Sequence, residues 1–225
     1  MKTINKTIQF GEHVEGYNIP VLNEREIRAA AGILFLIMFI SILMVILTGN
    51  FTMLKYAVTI FLTDITIRVF INPKFSPFLI IGRLMVRNQV PEYVGAPQKK
   101  FAWVIGFALA SLIFILSNIV NSYGPITALV CLICLVFLFW ETAFGICLGC
   151  KFYGIFYKDK VQYCPGEICE VKDRQDIQRT SKFQVFVIFG FIAYILLIVF
   201  LFNEPFSESP DNLWDIINGT VTVQG

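Results

Sequence analysis

Four long apolar stretches decide what this chain can become: Ala29 to Leu47, Phe101 to Asn118, Ile126 to Cys147 and Phe183 to Phe202. A hydrocarbon core of about 30 Å takes about 20 helical residues to cross. Within it, each segment must satisfy its own backbone N–H and C=O groups, which favours the helix. Met53 to Ile71 adds a fifth stretch, apolar apart from Lys55, Asp64 and Arg68, and the turn before it is so short that it must be the return leg of the first. The chain therefore reads as all-α, a polytopic integral membrane protein. Its spans, about 29–47, 53–71, 101–118, 126–147 and 183–202, form a five-helix transmembrane bundle with short cytoplasmic interfacial helices. Residues 1–202 read as one membrane domain and 203–225 as an extracytoplasmic acidic tail. Only 15% of the 225 residues are charged, against ~25% in soluble domains, so the lipid bilayer is the expected surrounding. The net charge of +2, with no basic run interleaved with aromatics, gives no footprint for nucleic acid.

Orientation follows from lysine and arginine, which collect in cytoplasmic segments. Four precede the first span (Lys2, Lys6, Arg25, Arg28), five fall in 72–100 and seven in 148–182. On the other side stands Lys55 alone, just inside the second span. The N-terminus is expected in the cytoplasm and the C-terminus outside, as in a bacterial inner membrane. Residues 1–28 carry Glu12, Glu15, Glu24 and Glu26 and lack a short apolar core with a small-residue cleavage site, so they do not read as a signal peptide.

Between the spans, weak alternation around Gly11 and Gly16 suggests a surface hairpin, and His13 reads as a turn or surface residue. Asn23 with Glu26 three residues on predicts a capping box, starting the first helix near Glu24. In "NPKFSPFLIIGRLMVRNQVP", Ser76 and Pro77 fit an N-cap and first helical position. The short helix that follows sets Phe78, Ile81, Leu84 and Met85 against Arg83 and Arg87, as an interfacial helix would. "QKKFAW" puts Lys99, Lys100 and Trp103 at headgroup level, "NSYGP" is an outer turn, and "KFYGIFYKDK" suggests a second interfacial helix. A short helix is expected around Asp211 to Ile217.

"ETAFGICLGCK" carries the chemistry most worth pursuing. Cys147, Cys150, Cys164 and Cys169 all fall on the cytoplasmic side, where thiols are kept reduced and such patterns serve redox or metal chemistry. In the redox reading Cys147 and Cys150 are an exchanging thiol pair, Lys151 promotes the thiolate, and Cys164 and Cys169 form a second pair. That reading needs no cofactor. If the fourth helix breaks at Gly149, Cys150 starts a new helix; if it runs on, both thiols lie near a C-terminal end, where the dipole opposes ionisation. In the alternative, the four cysteines (C-x2-C-x13-C-x4-C) hold zinc in a structural or binding protein. Cys131 and Cys134, inside the fourth span, read as small apolar residues.

Ionisable groups inside a span are costly unless paired or facing a cavity. Asp64 and Arg68, four apart on one helical face, are expected to pair. Glu141 has no local partner and shares a stripe with Cys134, Leu138 and Gly145 that should face the bundle. These three ionisable residues either fix helix register or line the path of a small-solute permease.

Asp64 and Arg68 before "NPKFSP", then "PQKKFAW", then "ETAFGICLGCKFY", resemble a family of bacterial membrane proteins known as a domain of unknown function, over about Ala29 to Tyr153. The family resembles proteins found beside, or fused to, thioredoxin-like and rhodanese-like domains. The resemblance implies cytoplasmic thiol or sulfane-sulfur chemistry, with a soluble partner of one of those two kinds.

Overall fold

Asn23 closes a three-residue strand and its side chain accepts the Arg25 N–H, so the first helix begins where the sequence places it. The computed structural model describes residues 10–148 and 179–219. In chain order these give β1 (Val21–Asn23), α1 (Glu24–Thr48), α2 (Thr52–Thr66) and α3 (Pro77–Val86). There follow β2 (Tyr93–Gly95), α4 (Ala96–Phe114), β3 (Ser122–Tyr123) and α5 (Pro125–Phe144). The chain closes with α6 (Lys182–Ser207), β4 (Asp211–Asn212) and α7 (Leu213–Ile217). Two helices are prolonged by a wider π turn, α2 through Ile67–Ile71 and α4 through Ile115–Ile119.

The architecture is an all-α bundle. Helices α1, α4 with its π turn, α5 and α6 are each long and apolar enough to cross a membrane. Helix α2 with its π turn, which carries Lys55, Asp64 and Arg68, packs against both α1 and α4. The core is a seam of Ala30, Ala31, Leu34 and Met38 from α1 against Ala57, Val58 and Phe61 from α2, with Cys134 and Leu138 from α5. Small residues on α1 and α2 let the backbones approach, as membrane helices require. Helix α6 buries only Gln184, Ile198 and Phe206 and turns Phe186 and Phe200 outward, a surface suited to lipid and not to water.

One end of the bundle, the basic end, holds the starts of α1 and α4, the end of α5, and α3, and carries Arg25, Arg28, Arg83, Lys99 and Lys100. There β1 pairs antiparallel with β2, Val21 opposite Gly95 and Asn23 opposite Tyr93, and Glu12 bridges back to Val21. The expected hairpin is thus one bridge, extended by a strand from 70 residues further on that has too few residues to show a period. Tyr93 is buried there, and loss of solvent pushes its phenol up to about 12, helped by the charges of Glu12 and Glu26. At the opposite end β3 pairs in parallel with β4, and Lys55 Nζ donates to the Glu208 carbonyl at 2.8 Å. Asn212 caps the short α7 over the span expected.

Helix α3 begins where Ser76 and Pro77 predict, but of its two basic residues only Arg87 is exposed. Gly82 lies on α1: a Cβ there would meet the Glu26 carbonyl oxygen at 2.6 Å and the Ala30 nitrogen at 3.2 Å. That approach buries Arg83 beside it and leaves Leu84 and Met85 exposed. Because the obstruction is backbone, Gly82→Ala is expected to lever α3 away from α1 and to cost about 1–3 kcal/mol, read as a lower melting temperature of detergent-purified protein. Wild-type melting of that variant would contradict the close approach.

Candidate functional site

The segment "NPKFSP" is two caps in series. Asn72 Oδ1 accepts the Lys74 N–H at the head of a one-turn 3-10 helix (Pro73–Phe75), and Ser76 Oγ accepts the Leu79 N–H at the head of α3. Asp64 reaches into the second cap: its Oδ1 accepts from Ser76 Oγ at 2.7 Å and from the Phe78 N–H at 3.1 Å. Arg68, on the π turn, pairs with Asp64 Oδ2 at 2.5 Å and donates from Nε to Ser76 Oγ at 3.2 Å. Its guanidinium also lies 5.4 Å over the Trp103 ring. A carboxylate at a helix N-terminus satisfies orphan N–H groups and complements the dipole. Asp64 therefore holds α3 to α2, and the pair expected from its spacing belongs to a larger anchor that includes Ser76.

Glu141 has a partner after all, distant in sequence. Lys99 Nζ stands 2.8 Å from Glu141 Oε1 and 2.7 Å from Glu24 Oε2, with the lysine side chain wholly buried. One cation thus ties the start of α4 to the start of α1 and the last turn of α5. The headgroup-level placement of Lys99 and Trp103 is corrected accordingly: α4 starts at Ala96, with Pro97 in its first turn, and this rotates both side chains inward. Lys100 instead packs over the Phe10 ring at 5.1 Å. The capping box is corrected too: Glu26 accepts from the Asn23 side chain at 3.0 Å and from Arg83 Nε at 3.1 Å, a buried ion pair binding α3 to α1.

These contacts frame a cavity of about 60 Å³ lined by Arg68, Trp103, Cys134, Glu141 and Cys147 among apolar walls. Room for a water takes roughly 10–15 Å³, so small polar molecules fit. Trp103 Nε1 is buried with no acceptor among the described residues. Asp64 does not line this cavity. The stripe of Cys134, Leu138, Glu141 and Gly145 does face the bundle, and Cys131, Cys134 and Cys147 are buried thiols. Helix α5 stops at Phe144, short of the expected Cys147, because Gly145 adopts a left-handed conformation (φ 64°) and its N–H returns to the Trp140 carbonyl. Cys147 therefore lies beyond the break, so the fourth helix does not run on through it, while Gly149 and Cys150 lie outside the described residues.

Residues 22–158 match the DUF4395 family, described as a domain of unknown function. The chain belongs to the DUF4395 family. No curated protein and no solved structure matches it. The match spans Asp64, Arg68, Glu141, Cys147, Cys150 and Lys151. Cys150, Lys151, Cys164 and Cys169 lie outside the described residues, as does the second interfacial helix expected at "KFYGIFYKDK". Among the described residues no three His, Cys, Asp or Glu side chains come together as a metal site, and three of the four cysteines of the zinc alternative fall beyond them.

The residues that sequence reading missed are Lys99, Glu24, Arg83 and Trp103. A depth argument would have found the first. Glu141 sits one turn from the end of α5 and Lys99 one turn from the start of α4, so in antiparallel neighbours the two occupy one level.

Proposed function

We propose that this DUF4395 protein is a thiol-redox or sulfur-relay protein of the bacterial inner membrane, working at its cytoplasmic face through Cys147 and Cys150. The reading places the N-terminus and the basic end in the cytoplasm and the C-terminus outside. What carries it is the cavity in which the Cys147 thiol shares walls with Glu141, Arg68 and Trp103, just beyond the helix break at Gly145.

Cys147, only 6% exposed, is too enclosed to meet a protein disulfide, so Cys150 is the thiol that meets the partner, with Lys151 favouring its thiolate. In disulfide exchange, the Cys150 thiolate attacks one sulfur of the partner's disulfide, forming a mixed disulfide and releasing the partner's thiolate. Cys147 then attacks Cys150 and releases the partner's second thiolate. The Cys147–Cys150 pair is oxidised, the partner reduced by two electrons, and the two protons of the pair pass to the partner. In sulfur relay, the thiolate takes the outer sulfur of a partner persulfide and frees the partner's thiolate, with no net oxidation. Cys164 and Cys169 are the second pair, which passes electrons or a persulfide on to a soluble partner. The fitting partner is a soluble thioredoxin-like or rhodanese-like domain.

The expected result is that replacing Cys147 and Cys150 together by Ser, in protein reconstituted in lipid, abolishes exchange with a disulfide- or persulfide-loaded domain of either kind. The Cys131→Ser, Cys134→Ser double variant should retain it. Undiminished exchange by the first variant would overturn the proposal. Stoichiometric zinc retained through dialysis under reducing conditions would favour the zinc-binding alternative.

A further inference from the structure

At the basic end, α1, the end of α3 and the end of α5 enclose an open groove of about 420 Å³ lined by Arg25, Arg28, Val86, Gln89, Glu92 and Thr142. Arg28 immediately precedes the apolar run that begins at Ala29, so in a bilayer the groove opens at the level of lipid phosphates. Its charges do not balance internally. Arg25 is committed, Nη2 to Glu92 at 2.7 Å and Nη1 to Gln89 at 3.0 Å, while its Nε is buried without a partner among the described residues. Arg28 lies over Gly145 and, among the described residues, makes one long hydrogen bond, Nη2 to the Thr142 carbonyl at 3.5 Å. A guanidinium has five N–H donors. That contact places Arg28 at the C-terminal end of α5, where a cation is favoured, and uses little of its donor capacity.

We propose that this groove binds the phosphate of an anionic phospholipid, held by Arg28. Among the described residues that line the groove the surplus is one positive charge, the complement of one phosphodiester, and basic pockets between membrane helices favour anionic headgroups. Val86 and Ala29 offer the apolar margin against which the glycerol and upper acyl chain lie. The site does not depend on the thiol reading.

The test is native mass spectrometry of the full chain released from bilayer discs and titrated with phosphatidylglycerol, phosphatidylcholine or inorganic phosphate. One phosphatidylglycerol per chain should be retained in preference to phosphatidylcholine. Arg28→Gln should weaken it about tenfold. Gln89→Glu, at an exposed position where the fold is not at risk, should weaken it as well by setting a carboxylate beside the phosphate. Equal retention of the two lipids, wild-type retention by both variants, or occupation of the site by inorganic phosphate in place of lipid would overturn the proposal.

Discussion

Asp64→Asn and Arg68→Gln should each give poorly folded protein, and the double variant should recover much of the loss. Each single change strands one charge in a site where Asp64 is 0% and Arg68 3% exposed. Breaking a buried ion pair from one side typically costs about 3–5 kcal/mol, which in a chain of this size lowers the melting temperature by roughly 10 °C. In the double variant no charge is stranded, and Ser76 still caps α3 through the Leu79 N–H. The same measurement separates anchor from path. As an anchor, the pair leaves the double variant closer to wild type in melting and in thiol exchange. As a proton or solute path, it would leave that variant folded and inactive. A stable and fully active Asp64→Asn would contradict both.

Lys99→Met should be the other severe variant, and its effect should be asymmetric with that of its partners. Lys99 is the single cation within salt-bridge distance of both Glu24 and Glu141 among the described residues. Its loss leaves two carboxylates facing each other in low dielectric, an expected cost of at least about 3–5 kcal/mol. Glu141→Gln removes one of two negative charges, leaves the Lys99–Glu24 pair intact and keeps an acceptor for Nζ. That change should cost about 1 kcal/mol. Melting temperatures of the two variants under the same detergent conditions check the order, and equal destabilisation would contradict a shared cation.

What could be read from the chain divides by distance along it. The spans, the caps at Asn23 and Ser76, and the Asp64–Arg68 pair rest on patterns within a few residues, and local geometry alone produces them. The ion-pair partners of Glu141 and Glu26 come from elements that only tertiary packing brings near. Helix α3 shows the reason most plainly: its pattern suits a surface helix, yet Gly82 lets it settle on α1, and Arg83 then needs Glu26. "QKKFAW" misleads in the same way, since a lysine and a tryptophan at the head of a span suit the headgroup layer until the turn from β2 into α4 rotates Lys99 and Trp103 inward. Of the candidate site, the stripe on α5 was legible from period, whereas the cavity was not, because Arg68, Trp103 and Cys147 reach it from three separate segments.

The most direct measurement is peptide mass mapping of the chain in bilayer discs after brief reaction with a thioredoxin-like or rhodanese-like domain that carries a disulfide or a persulfide. The proposal predicts that the segment holding Cys147 and Cys150 gains either a mutual disulfide or one added sulfur atom, with stoichiometric change in the donor. Modification confined to other cysteines, or a donor left unchanged, would contradict it.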